Sequence, residues 1–242
     1  MTLRAVLRVL AMALLLGVCL PAYAIEKLLG GGAFWASIFL GGSGRILGLR
    51  ARIEGEPLRK DVLYAANHIS WLDILALGGA TPTRFIAKSE IERWVLIGWL
   101  ARFSGAVFVS RERRSATRAQ ANAVAAALGE GRPVSLFAEG GTGDGVRLDP
   151  FRPSLFAGAI KAGTMIQPVA IDYGARSAEI AWPDGARFSV EIKRMLNRRG
   201  AVPVTLRFLA PIDARAGDRK LLAERSFDAV AAALGQKVSA EA

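Results

Sequence analysis

The 242-residue chain holds one cysteine, one histidine and three tyrosines. With Cys19 alone, no intrachain disulfide can form and a cysteine-rich zinc site is excluded. With His68 alone, the histidine clusters that hold transition metals are excluded too. Any imidazole chemistry therefore rests on one ring. No G-x-S-x-G serine elbow is present, and Gly140–Gly145 lacks the lysine of a nucleotide P-loop. Acidic residues are outnumbered 32 to 21, which gives a formal net charge of +11 and implies an anionic partner: nucleic acid, anionic lipid or a phosphorylated substrate. The few tyrosines, the dispersed arginines and the lack of a helix-turn-helix or RNA-binding motif argue against nucleic acid. A hydrophobic fraction of 52% rules out general disorder.

The first long feature is apolar. Arg4 and Arg8 precede an uncharged run from Val9 to Ile25, which Glu26 and Lys27 end. At about 17 residues it is short for a spanning helix, which needs roughly 20. A retained membrane anchor is the first reading. Pro21 followed by Ala22-Tyr23-Ala24 also fits a cleaved secretory signal. Cys19 is expected as a small buried hydrophobe. A second uncharged stretch, Leu28 to Gly44, carries Phe34, Trp35, Ile38 and Phe39 among many glycines. It suits a helix lying among lipid headgroups, hairpinned against the first, with a buried helix under the domain as the alternative. Residues 1–45 are therefore expected as membrane-associated helices and residues 46–242 as one globular domain.

From residue 46 onward short β-like runs alternate with helical ones, the pattern of an α/β fold with a mixed, mostly parallel sheet flanked by helices. Strands are expected at Leu49–Ile53, Val62–Ala66, Arg84–Ile86, Val107–Val109, Val134–Phe137, Ile166–Ile171, Phe188–Ile192 and Val204–Leu209. Helices are expected over Arg114–Leu128 and Leu221–Leu234, from their apolar spacing. The weakly charged stretch with Trp94, Trp99 and Leu100 reads as a buried helix or as a wall for an acyl chain.

The segment that carries chemistry is Asn67-His68-x-Ser70-x-x-Asp73, where a strand gives way to a helix. Ligands in open α/β sheets sit at such carboxyl ends. Five helical steps of 100° would set His68 and Asp73 about 140° apart, so they meet only if His68 lies in the loop and Asp73 in the first turn. A capping box between Ser70 and Asp73 supplies that geometry. A carboxylate on one imidazole nitrogen fixes the tautomer and stabilises the imidazolium, which equips His68 as a general base; a hydrogen-bonded structural histidine is the alternative. The glycine-rich turn Gly140–Gly145 could bring backbone N–H groups to an oxyanion or phosphate, with an ordinary surface turn as the commoner alternative, and Lys88, Arg147 and Arg152 read as solvated charges.

That first block resembles the glycerolipid acyltransferase family, typified by 1-acyl-sn-glycerol-3-phosphate acyltransferases. Gly105 to Arg111 is similar to the family's second block, Leu136-Phe137-Ala138-Glu139-Gly140 to the third, and Gln167-Pro168-Val169 to the fourth. Ala138, Gly141, Ser110 and Val95 depart from the family's usual residues; none of these removes His68, Asp73, Arg111 or Glu139. The resemblance implies His68 and Asp73 as catalytic residues, and Arg111, Glu139, Gly140 and Lys88 as substrate-binding residues. It implies no metal or other cofactor, a donor that is acyl-CoA or an acyl-acyl carrier protein, and a lysophospholipid acceptor at the cytoplasmic face of a bacterial-type inner membrane. The expected acceptor is 1-acyl-sn-glycerol-3-phosphate, which the positive charge and Arg111 suit. Lyso-ornithine lipid is the rival, because Thr142 to Gly145 and Pro150-Phe151-Arg152 also resemble its acylating enzymes. Two readings from other classes are a basic nucleic-acid-binding module and a membrane-shaping protein without catalysis, for which loss of His68 would change nothing.

Overall fold

The computed structural model describes residues 2–31, 33–109, 114–182 and 186–236. Two helices open the chain, α1 (Leu3–Leu28) and α2 (Phe34–Leu47), before strands β1 (Leu49–Glu54) and β2 (Val62–Ala66). There follow α3 (Leu72–Ala80), β3 (Arg84–Lys88), α4 (Val95–Phe103), β4 (Val107–Val109), α5 (Arg114–Gly129) and β5 (Val134–Phe137). The remainder is α6 (Ala157–Ala162), β6 (Met165–Asp172), α7 (Ser177–Ile180), α8 (Phe188–Asn197), β7 (Val202–Phe208), β8 (Ile212–Asp213) and α9 (Arg219–Ala233).

The strands form one sheet in the order β1-β7-β6-β2-β5-β3-β4, with β8 also paired to β6. Five neighbouring pairs are parallel, and β6 meets β7 and β8 antiparallel. This is the mixed, mostly parallel sheet that the alternation of strand and helix foretells.

Strand β2 shows why its sequence is wholly apolar. All five residues are buried, because the strand is central and both faces are covered. Val62, Tyr64 and Ala66 enter a core with α3 and α8, whereas Leu63 and Ala65 enter a second core with α5, α6 and α9. Pro168 interrupts neither. Its carbonyl accepts from Leu209 N–H at 3.0 Å, in the gap between β7 and β8. Residue 168 would have turned its own N–H to that same gap, so the proline costs no ladder bond.

One expected strand is corrected. Phe188–Ile192 lies in α8. The alternation of Phe188, Val190 and Ile192 imitates a strand, yet Glu191, Met195 and Leu196 share a buried helical face while Val190 is exposed. The Glu191 carboxylate pairs with Arg194 one turn later.

Helices α1 and α2 form a hairpin closed by Glu26, whose carboxylate accepts the Phe34 and Trp35 N–H groups at 2.9 and 3.2 Å. One face of α1 docks on the body. Ala5, Cys19 and Tyr23 are buried there. Arg8 Nη1 lies within 3.0 Å of the carbonyls of Met195, Leu196 and Arg198 and so caps the end of α8. The opposite face bares Leu3, Leu7, Leu10, Leu14, Val18 and Leu28. Helix α1 is long and apolar enough to cross a membrane. Helix α2 crosses α3 backbone to backbone: a Cβ placed on Gly79 would lie 2.5 Å from the Gly41 Cα. The helix that follows His68 thus rests on α2, while Phe34 and Ile38 remain exposed.

Candidate active site

Register builds the site. Ala66 stands opposite Phe137 of β5 and Val169 of β6, all running the same way. The segments that leave β2, β5 and β6 therefore emerge together, and residues about 70 and 100 positions apart become neighbours. Asn67 ties the first of these to the third. Its side chain donates to Ile171 O at 3.0 Å and accepts from Ile171 N–H at 2.7 Å.

His68 lies in the loop and Asp73 in the first turn of α3, the arrangement their spacing requires. Imidazole Nδ1 is 2.9 Å from Asp73 Oδ2. Beside a carboxylate acceptor, Nδ1 carries the proton and Nε2 is left with a lone pair. The same Oδ2 accepts the N–H groups of Ile69 (2.7 Å) and Ser70 (2.8 Å). The second of these is the return half of a capping box. Helix α3, however, has Trp71 rather than Ser70 at its N-cap position, with no side-chain cap bond from Trp71, and the Ser70 hydroxyl lies 3.5 Å from Leu72 N–H. Asp73 Oδ1 accepts the Tyr173 hydroxyl at 2.7 Å. The carboxylate is fully buried, and the imidazole side chain keeps 15% of its surface exposed. One ring face stacks on Phe137, with centroids 3.8 Å apart and planes 10° from parallel. Nε2 makes no hydrogen bond among the described residues.

Glu139 follows β5 and holds the same loop from the other side. Oε1 accepts the His68 backbone N–H at 2.5 Å, and Oε2 accepts the Asp149 N–H at 2.9 Å. Burial pushes its carboxyl up to about 7, against the opposing pull of those two N–H groups. Gly140 has φ +82°, and a Cβ there would lie 2.6 Å from Arg152 Nε. Arg152 is no free surface charge: its Nε donates to Glu139 O at 2.9 Å. The glycine turn is also less open than its composition suggests. Gly143 N–H donates to His68 O at 2.8 Å, and the N–H groups of Val146 and Arg147 donate to Asp144 Oδ1.

A cavity of about 380 Å³ is lined by His68, Glu139, Gly143, Arg147, Asp172 and Ser177, among others. A larger depression of about 490 Å³ between α6 and the start of α9 shares no residue with it and is lined by Lys161, Asp218, Arg219 and Lys220 among others. The structure brings together His68, Asp73, Glu139 and Gly140. Lys88 ends β3 opposite Val109, is exposed, and does not line the cavity of His68. Arg111 lies outside the described residues. Tyr173 and Phe137 contact the His68–Asp73 pair without any signal in the local sequence, because only the adjacency of β2, β5 and β6 places them there.

The geometry can therefore take a proton at Nε2 and stabilise the resulting imidazolium through Asp73. Comparison with known proteins gives this site its setting. The acyltransferase family profile matches residues 50–172. A lyso-ornithine lipid O-acyltransferase from Pseudomonas aeruginosa is 36% identical over 192 residues, 78% of this chain and 73% of that protein. A 1-acyl-sn-glycerol-3-phosphate acyltransferase from Neisseria gonorrhoeae is 38% identical over 151 residues, 59% of each. The crystal structure of the 1-acyl-sn-glycerophosphate (LPA) acyltransferase PlsC from Thermotoga maritima shares the fold, with a TM-score of 0.67 over 98% of both chains at 21% identity. By its profile match and by the reach of its similarity to named enzymes, the chain belongs to the acyltransferase family and is an acyltransferase of the glycerolipid type.

Proposed function

We propose that the protein moves a fatty acyl group from a thioester, acyl-CoA or an acyl-acyl carrier protein, to the free hydroxyl of lyso-ornithine lipid. The observation that carries the chemistry is the His68–Asp73 pair, with Nδ1 engaged, Nε2 without a hydrogen bond among the described residues and a cavity alongside. His68 Nε2 takes the hydroxyl proton as the acceptor oxygen attacks the thioester carbonyl carbon. Asp73 stabilises the imidazolium. The tetrahedral intermediate collapses with cleavage of the C–S bond, and the imidazolium returns its proton to the leaving thiolate. Glu139 and Gly140 shape the loop that carries His68. Arg111 is assigned to the anionic part of the acceptor through the family resemblance, whereas Lys88, exposed at the end of β3 and outside the cavity, is left as a solvated charge.

The acceptor is chosen from the relatives. Similarity to the lyso-ornithine lipid enzyme from Pseudomonas aeruginosa spans 192 residues, whereas that to the Neisseria gonorrhoeae enzyme for 1-acyl-glycerol-3-phosphate spans 151. The second reading is 1-acyl-sn-glycerol-3-phosphate, favoured by the net charge of +11. For either acceptor we place the protein on a bilayer through the bare apolar faces of α1 and α2. The catalytic domain faces the cytoplasm, where thioester donors are made. Purified wild type and His68→Ala are assayed with both acceptors and both donors. Turnover of lyso-ornithine lipid by wild type alone supports the reading. Turnover of only the phosphate acceptor moves the assignment to the second reading, and an active His68→Ala removes the base.

A further inference from the structure

Tyr173 is the first residue after β6, buried at 2% exposure, and the proposed chemistry leaves it without a role. Its hydroxyl donates to Asp73 Oδ1 at 2.7 Å. The other three donors to this carboxylate, Ile69 N–H, Ser70 N–H and imidazole Nδ1–H, all converge on Oδ2. Three donors on one oxygen fix that atom but leave the carboxylate plane free to hinge about it. A donor on the second oxygen fixes the plane. With Asp73 fully buried, no solvent can replace that donor, and an oxygen left bare in the interior is costly.

We propose that Tyr173 is a positioning residue for the acyl transfer: its hydroxyl holds the Asp73 carboxylate in the plane that meets His68 Nδ1 and carries part of that carboxylate's charge. The proposal rests on the reading of His68 as the general base. Burial and the neighbouring Asp73 hold the phenol well above its usual range, so the hydroxyl remains a donor wherever the enzyme works. Segment 67–73 is thus held from β6 at two points, Asn67 on Ile171 and Asp73 on Tyr173. Among the described residues, the titratable and charged groups facing His68 and Asp73 are Tyr173 after β6 and Glu139 after β5. Asp149 lies beyond Glu139, and Arg147 and Asp172 line the shared cavity. Glu139 titrates in wild type and variant alike, so the informative quantity is the difference between their pH profiles.

Tyr173→Phe keeps the ring and removes only the donor. Turnover should fall about tenfold, with the KM for each substrate within about twofold of wild type. The acid limb of kcat/KM should move to higher pH, because a carboxylate with one donor fewer holds the imidazolium more strongly. In the Asp73→Asn background the same change should add no more than about twofold, since the two residues act as a unit. Wild-type turnover and an unmoved profile in Tyr173→Phe, beside an inactive His68→Ala, overturn the proposal alone. So does a rate loss that leaves the acid limb in place and multiplies with that of Asp73→Asn. Wild-type turnover in His68→Ala overturns both this proposal and the reading beneath it.

Discussion

Replacing Asp73 by asparagine removes a charge and leaves a shape. Three donors meet at Oδ2, so the amide oxygen must take that place. Its NH₂ then faces the Tyr173 hydroxyl, which rotates to accept. Every partner is kept, and the tautomer of His68 is kept with them. What disappears is the attraction between carboxylate and imidazolium. Two unit charges about 4 Å apart at an effective dielectric of about 20 attract by roughly 4 kcal/mol. At about 1.4 kcal/mol per factor of ten this caps the loss near 10³-fold. Turnover of Asp73→Asn should therefore fall about 10²- to 10³-fold, with substrate KM values almost unchanged. The acid limb of kcat/KM should move to lower pH, opposite to Tyr173→Phe, because an imidazolium without its counter-charge gives up its proton more readily. Steady-state thiol release from the acyl donor, measured from about pH 5 to 9, reads both quantities. Turnover within about fivefold of wild type, or an acid limb that rises, refutes the electrostatic role of Asp73.

Glu139 gives a stability prediction. Its folded carboxyl sits at about 7, above the ordinary 4.5. The folded state therefore holds the proton more tightly, and this group's contribution favours folding less as pH climbs from 4.5 to 7. The change amounts to about 3 kcal/mol at most. Urea unfolding of Glu139→Gln at several pH values should lack that part of the slope; parallel slopes for variant and wild type would contradict it. Gly140→Ala places a side chain at φ +82° and pushes Arg152 from Glu139 O. It should cost about 2–4 kcal/mol in stability, and a melting temperature equal to wild type would show the turn to be tolerant. Gly79→Leu cannot fit 2.5 Å from Gly41, so α2 should separate from α3, with enhanced proteolysis between residues 29 and 48 as the readout. Glutamates at Leu10 and Leu14 on the bare face of α1 should cut sedimentation with anionic vesicles at least tenfold while leaving turnover of detergent-dispersed substrate near wild type. Unchanged vesicle binding would move the membrane contact elsewhere.

The local signals held best where one element's period was long or its surroundings symmetric. Helix α5 and helix α9 were legible from apolar spacing, and β2 from an unbroken apolar run. Phe188–Ile192 misled because five residues sample an alternation that helix and strand share; only the contacts of Met195 and Leu196 choose between them. The N-terminal run was visible as apolar but not as a docked helix, since the carbonyls that Arg8 meets belong to residues 195–198. Composition leaves Gly140–Gly145 open between an anion cradle and an ordinary surface turn, because glycine content reports freedom and not which amides are already engaged.

What the sequence by itself determined is that His68 and Asp73 meet. One histidine exists, Asp73 stands five residues beyond it, and a strand-to-helix turn is the backbone that lets the two meet. Local geometry suffices there, because the spacing is shorter than any tertiary contact needs. Tyr173 and Glu139 were assigned to that loop only by folding. Their distance from His68 along the chain is bridged by the parallel register of β2 with β5 and β6. No local pattern encodes which strands lie side by side; burial of both faces of β2 in two separate cores decides it.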